Sequence, residues 1–269
     1  MNARRGFACS GAMAPGAIAE AAGTAERLGY SSFWITVLRD RTDPVAVLEA
    51  ALSATATIEV GLGLVPLDAF DPVGLARELR DVPPRTILGL GVGQIRIDAP
   101  AFWRAGAEAV RHGAPNVRIT VGSYGRGVLR EGGAVADGLL LNWMTPSRAA
   151  WAAAQFDSGA SEAGRSPSDR PVFVYVPTAI GENAFDRIRE AQRSMAAYGY
   201  HRRHQVALGT EAQPGLAVDA RAPERVLQTD FGPRAQLVIH PIASMNDDQI
   251  AQLMHVCAPS PSRSRLSSD

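Results

Sequence analysis

The segment Gly122-Ser-Tyr-Gly-Arg-Gly127 runs directly into a helical stretch, Val128–Ala136. Glycines that feed a helix N-terminus offer free backbone N–H groups at the positive end of a helix dipole, a ready site for an anion. A turn made glycine-rich only by chain geometry is the alternative. Other residues with usable chemistry are sparse. His240 follows the apolar run Ala235–Ile239, and its ring reads either as a structural hydrogen-bonding group or as one that reaches a ligand. Gln94 is the first polar side chain after Gly91-Val92-Gly93; it can orient a substrate through a neutral hydrogen bond but cannot serve as a general acid. His201 and His204 lie on an Arg-flanked segment that reads better as a solvated face than as a zinc pair, and Cys9 reads as a small buried side chain. No nucleophile–base–acid set and no metal-ligand spacing is apparent, so no metal is expected.

These groups need elements to hold them. Short β-like runs at Phe7–Ser10, Ser32–Val37, Ile58–Pro66, Thr86–Gly93, Val117–Ser123, Gly138–Met144, Pro171–Ile180 and Ala235–Ile242 alternate with helical stretches. Several are apolar throughout, as strands covered on both faces are. Asp43-Pro44, Asp71-Pro72 and Thr145-Pro146 each place a capping side chain before a proline suited to the first helical turn. Ala17–Leu28 and Val45–Ala56 carry apolar residues at spacings of three and four. Eight strands alternating with eight helices predict a (β/α)8 TIM barrel of class α/β, whose active site lies at the C-terminal strand ends. A single domain over residues 1–257 is expected, followed by a disordered Pro/Ser-rich tail, 258–269. The irregular Tyr198–Pro223 segment, after a charged helix at Asn183–Ala197, is expected to pass over the catalytic face.

Composition removes several function classes. The chain has 27 acidic and 27 basic residues, and every basic one is arginine, so neither nucleic acid nor an anionic membrane is an expected partner. Without lysine there is no Schiff-base chemistry and no P-loop, which argues against a barrel aldolase. Two cysteines at opposite ends make no disulfide framework, and no run is long enough for a membrane span or a signal peptide, so a cytoplasmic location is expected. The strand ends are mainly apolar and suit a flat, uncharged ring better than hydrolysis.

The order Leu88-Gly-Leu-Gly-Val-Gly93, then Ala136-Asp-Gly138, then Leu141-Asn-Trp-Met-Thr-Pro146 resembles the luciferase-like flavin- or deazaflavin-dependent oxidoreductases. The resemblance runs from Ala19 to about Ile242, through Ala25–Ile35, Ala51–Leu67, Asp71–Leu79 and Gly122–Gly138. It implies a cofactor phosphate held by Ser123, Tyr124 and Gly125 with Asn142 beside it. It also implies a ring backed by Gly63 and Leu64, at a peptide that many members hold cis, and bordered by Val92 and Gly93. Thr36, Trp143 and His240 would face a small-molecule substrate, and Gln94 would be the catalytic side chain. Coenzyme F420, with hydride transfer to or from an organic substrate, is favoured from the Leu-Leu-Asn-Trp-Met-Thr-Pro variant and an Ala/Arg-rich composition. FMN with monooxygenation is the alternative, and a cofactor-binding paralogue without turnover is a third reading. Val37 and Leu38 stand where many deazaflavin-dependent members carry Asp-His or Glu, and Gln94 stands where some carry an acid. Homodimerisation is left open.

Overall fold

The computed structural model of the chain describes residues 4–95, 97–166, 170–196, 216–218 and 230–259. The strands are β1 (Arg5–Ser10), β2 (Ser32–Thr36), β3 (Glu59–Pro66), β4 (Thr86–Gly91), β5 (Arg118–Val121), β6 (Gly138–Asn142), β7 (Val172–Ile180), β8 (Leu216–Val218) and β9 (Ala235–Pro241). The helices are α1 (Pro15–Arg27), α2 (Pro44–Ser53), α3 (Pro72–Glu78), α4 (Ala99–Gly113), α5 (Arg126–Val135), α6 (Pro146–Glu162), α7 (Ala184–Ala196) and α8 (Asp247–Val256). All described pairings are parallel. Strands β1 to β7 pair in sequence, β7 pairs β9, and β9 closes on β1 through Arg5–Phe7 against Leu237–Ile239. The result is a closed eight-stranded (β/α)8 barrel.

One element departs from the expected plan. Leu216–Val218, in the stretch read as irregular, is a short ninth strand that extends β7 by pairing with Thr178–Ile180. Three residues are too few to give a readable period. The His201/His204 segment, expected to be a solvated face, and the tail from residue 260 lie outside the described residues.

The helix starts behave as the sequence dictates. Asp43 accepts from the N–H groups of Val45 and Ala46, Asp71 from those of Val73 and Gly74, and Thr145 from Arg148, each ahead of a proline in the first turn. Asn246 and Gln249 form a reciprocal capping box on α8. Between strands and helices lies one large apolar core. A second cluster fills the barrel itself: Ala8, Trp34, Ile87, Leu140, Phe173, Tyr175 and Val238, with Leu64 packed on top. Trp34 meets Phe173 edge-on at 4.7 Å between ring centroids. Its indole fits because β3 offers Gly61 opposite: a Cβ there would stand 2.3 Å from Trp34 Cε3. The barrel is therefore filled to just below its C-terminal mouth.

At the opposite end, the Glu26 carboxylate accepts from the backbone N–H groups of Ala56, Thr57 and Ile58, tying α1 to the start of β3. A cavity of about 520 Å³ opens on this face. Its charges are spent on structure: Arg4 and Arg118 pair with Glu59, and Arg85 donates to the carbonyls of Leu52, Thr55 and Ile58 behind α2.

Candidate active site at the barrel mouth

The β5–α5 turn carries the anion-ready segment. Ser123 Oγ accepts from the Gly125 N–H at 3.0 Å, and Gly125 is the N-cap residue of α5 with extended backbone. No side chain caps this helix, so the amides of its first turn point outward without a side-chain acceptor. Tyr124 Oη donates to the Asn142 carbonyl at 2.9 Å, joining the turn to the end of β6. The structure thus brings Ser123, Tyr124, Gly125 and Asn142 together. Asn142 Oδ1 is buried without a hydrogen-bond partner among the described residues.

Sequence reasoning missed Arg148, which completes this corner. Its Nη2 donates to the Tyr124 carbonyl at 3.1 Å and its guanidinium lies over the Trp151 ring. Burial pulls its pKa below the usual arginine value. A cation in the first turn of α6 opposes that helix's own dipole. That mismatch was the available signal.

The positions expected to back a ring also converge. The Gly63–Leu64 peptide is cis, and β3 shifts register against β4 between Leu62 and Val65. The Leu64 side chain lies over Gly89, Gly91 and Gly122: a Cβ on Gly122 would fall 2.4 Å from it. Val92, by contrast, packs its side chain against the large apolar core.

Gly93 takes a left-handed conformation (φ 65°), and a Cβ there would overlap Asp68, which fills the space. Asp68 Oδ2 accepts from the Gln94 N–H at 2.8 Å and pairs with Arg39. Burial raises the Asp68 pKa, but the Arg39 guanidinium and the Gln94 amide outweigh it and hold the carboxyl below the ordinary aspartate range. Three mouth loops are clamped by one ionised carboxylate, again unseen in the sequence because its partners are far apart along the chain. Gln94 itself is exposed on the turn.

Thr36 Oγ1 donates to the Cys9 carbonyl at 3.3 Å. Trp143 sits at φ 53°, a left-handed backbone rare for a bulky residue, half-exposed just past β6. His240 is half-buried, its Nδ1 has no partner among the described residues, and burial pushes its pKa down to about 4. Its ring lies 5.1 Å from that of Tyr175. Cys9 is buried and its thiol is pushed up to about 12, so it is an inert packing group at neutral pH. Among the described residues no three His, Cys, Asp or Glu side chains gather as a metal site, and no helix is long and apolar enough to cross a membrane.

Comparison with known proteins fits this geometry. The family described as luciferase-like monooxygenase matches residues 2–111 and, in a second segment, 100–239. A 5,10-methylenetetrahydromethanopterin reductase from Methanolobus tindarius is 28% identical over 203 residues, 62% of this chain and 62% of that protein. The aligned stretch therefore spans less than two thirds of that relative's length. Among solved structures, the coenzyme F420 dependent tetrahydromethanopterin reductase from Methanopyrus kandleri matches with a TM-score of 0.74 at 16% identity, over 95% of this chain and 97% of that one. An F420-dependent secondary alcohol dehydrogenase in complex with an F420-acetone adduct gives 0.75 at 16% identity, over 95% and 98%. The oxygenating constituent of 3,6-diketocamphane monooxygenase from Pseudomonas putida, in complex with FMN, gives 0.66 at 14% identity, over 96% and 98%. At such identities the structural likeness speaks to the fold. With the family match covering most of the barrel, the chain belongs to the luciferase-like monooxygenase family.

Proposed function

We propose that this chain is an oxidoreductase that binds the deazaflavin coenzyme F420 at the barrel mouth and catalyses hydride transfer to or from an uncharged organic substrate. The observation that carries the reading is the corner made by the uncapped N-terminus of α5, Ser123 and Asn142, with Arg148 against the Tyr124 carbonyl. It offers outward amides, a hydroxyl and a cation to an anionic tail, next to an apolar floor that accepts a flat ring. When bound, the coenzyme would supply the hydride chemistry, and the protein would supply position and polarity.

In this reading Ser123 and the first-turn amides of α5 hold the phosphate, and Arg148 faces the carboxylates of the deazaflavin tail. Leu64 supports the ring. Gln94 orients the substrate through a neutral hydrogen bond, while Thr36, Trp143 and His240 line its place. With Asp68 ionised and His240 neutral near pH 7, neither suits general-acid work, which favours a substrate whose proton moves to or from water.

Monooxygenation with FMN is the second reading, because the phosphate corner fits either cofactor. Arg148 favours the deazaflavin, whose tail carries anions beyond the phosphate. The discriminating experiment loads the protein with each reduced cofactor and follows reoxidation under air and under nitrogen with a panel of uncharged ketones. The account expects the deazaflavin form to be reoxidised by a ketone and to be indifferent to air. Protein-dependent oxygen consumption with FMN alone, and no turnover with deazaflavin, would replace it with the second reading.

A further inference from the structure

Asp68 stands between three loops at the barrel mouth, and its own backbone is fixed. The Leu67 N–H donates to the Gly91 carbonyl at 2.9 Å, and the Ala69 and Phe70 N–H groups both donate to the Pro66 carbonyl. From this base the carboxylate reaches in two directions. Oδ2 pairs with the Arg39 guanidinium from the loop after β2 and accepts the Gln94 N–H from the loop after β4. Gly93 makes the approach possible, because a Cβ at that residue would overlap the carboxylate.

The turn that Asp68 holds is weakly fixed from within. Its internal backbone bond, from the Ile95 N–H to the Val92 carbonyl, is long at 3.4 Å, and Gly93 at φ 65° adds no side chain to pack. Gln94 is exposed, so its side chain takes its direction from its backbone. That backbone is held by the 2.8 Å bond to Asp68, and an amide donating to a carboxylate makes a stronger bond than one donating to a neutral acceptor. Arg39 completes the device. A carboxylate only 11% exposed is costly unless paired, and the guanidinium supplies the pair. The Arg39 loop is anchored in turn, with the Leu38 N–H on Thr42 Oγ1 and the Thr42 N–H on the Leu38 carbonyl. The phosphate corner is built on other loops, those after β5 and β6.

We propose that Asp68, backed by Arg39, is a positioning residue that fixes the Gln94 backbone so that the Gln94 side chain meets the substrate in its reactive orientation. This rests on the functional reading given above. A carboxylate that acts only through Gln94 leaves two signatures. Its loss falls on turnover and spares cofactor binding, and the loss vanishes once the Gln94 side chain is gone.

The test is a double-mutant cycle in the full chain, with Asp68→Ala, Gln94→Leu and the two combined. Turnover is measured with reduced coenzyme F420 and an uncharged ketone, alongside FMN titration by fluorescence, hydrogen exchange at the Gln94 amide and a thermal melt. Asp68→Ala should lower kcat and kcat/KM together by about tenfold, because the orientation is lost in the transition state. Exchange at the Gln94 amide should quicken by about tenfold, and FMN affinity should be unchanged. In the Gln94→Leu background the same change should cost no further rate. Asp68→Asn keeps the shape and one acceptor but not the ion pair; it should lose about threefold and serves where the alanine variant does not fold. A rate loss that persists in full in the Gln94→Leu background would overturn the proposal, as would an unchanged rate despite faster exchange, or a loss confined to FMN affinity or to the melting temperature. If the unmodified protein turns over with neither coenzyme F420 nor FMN, the functional reading and this inference fall together. If it turns over and the cycle is additive, only this inference falls.

Discussion

Replacing Gly125 separates ligand binding from folding. Gly125 has φ −94°, a backbone that any residue adopts, and the nearest atom to a Cβ built there is Ser123 Oγ at 3.6 Å. A side chain at this exposed position meets no protein. It meets whatever lies on the N-terminus of α5. Gly125→Val should therefore weaken FMN or coenzyme F420 at least tenfold, about 1.4 kcal/mol, by blocking close approach to the first-turn amides. Gly125→Asp is the sharper form. Aspartate is a good N-cap, so α5 should be as stable or more so. Its carboxylate would stand roughly 4 Å from a bound phosphate, a repulsion of about 4 kcal/mol at an effective dielectric of about 20. Water and salt reduce that figure, and an affinity loss on the order of 100-fold remains. Fluorescence titration with FMN and riboflavin in parallel reads the effect: FMN binding should collapse, riboflavin binding should barely move, and the thermal melt should be unchanged. Normal FMN affinity in the folded Gly125→Asp variant would refute the placement of the phosphate.

Further outcomes follow from other parts of the structure. Gln94→Leu should lower turnover tenfold to a hundredfold, about 1.4 to 2.7 kcal/mol, with cofactor affinity and melting temperature unchanged because the Asp68 contact uses only the Gln94 backbone. A normal rate per folded molecule would make the side chain a spectator. Gly61→Ala should destabilise by about 1–3 kcal/mol in denaturant unfolding, since the added methyl meets Trp34 at 2.3 Å. An unperturbed midpoint would mean that the barrel filling is looser than described. At Glu26, burial pushes the pKa up, but the backbone amides of Thr57, Ile58 and Ala56 and the Thr57 hydroxyl bring it down to about 2. Its contribution is present above the unfolded value near 4.5 and is lost as pH falls through about 2. Glu26→Gln should therefore cost about 1 kcal/mol at pH 7 and only a small part of that at pH 2, measured by paired urea titrations.

The strands were legible because parallel strands buried on both faces read as short apolar runs, and the observed ends fall within a residue or two of expectation at β2, β3 and β7. The Asp-Pro starts were legible because capping is local chemistry. The site was only partly so. Ser123, Tyr124, Gly125 and Asn142 meet as the motif implied. The Arg39–Asp68 clamp was invisible, since nothing local links residues from different βα loops. Which side chains of β7 face the barrel was hidden for a related reason. In Val172–Ile180 every residue is buried, so the sequence carries no alternation to tell barrel-facing side chains from helix-facing ones. His240, weighed as structural or ligand-facing, lies in β9 with its Nδ1 buried and without a hydrogen-bond partner among the described residues.

The central claim is that a phosphate-bearing deazaflavin occupies this mouth. Equilibrium titration of the full chain with coenzyme F420, FMN and riboflavin, followed by fluorescence at low salt, tests it most directly. The account predicts saturable one-to-one binding, tightest for coenzyme F420, weaker for FMN and weakest for riboflavin, with the F420 advantage reduced in Arg148→Ala. Tightest binding by FMN with no measurable binding of coenzyme F420, or no binding of any of the three, would contradict it.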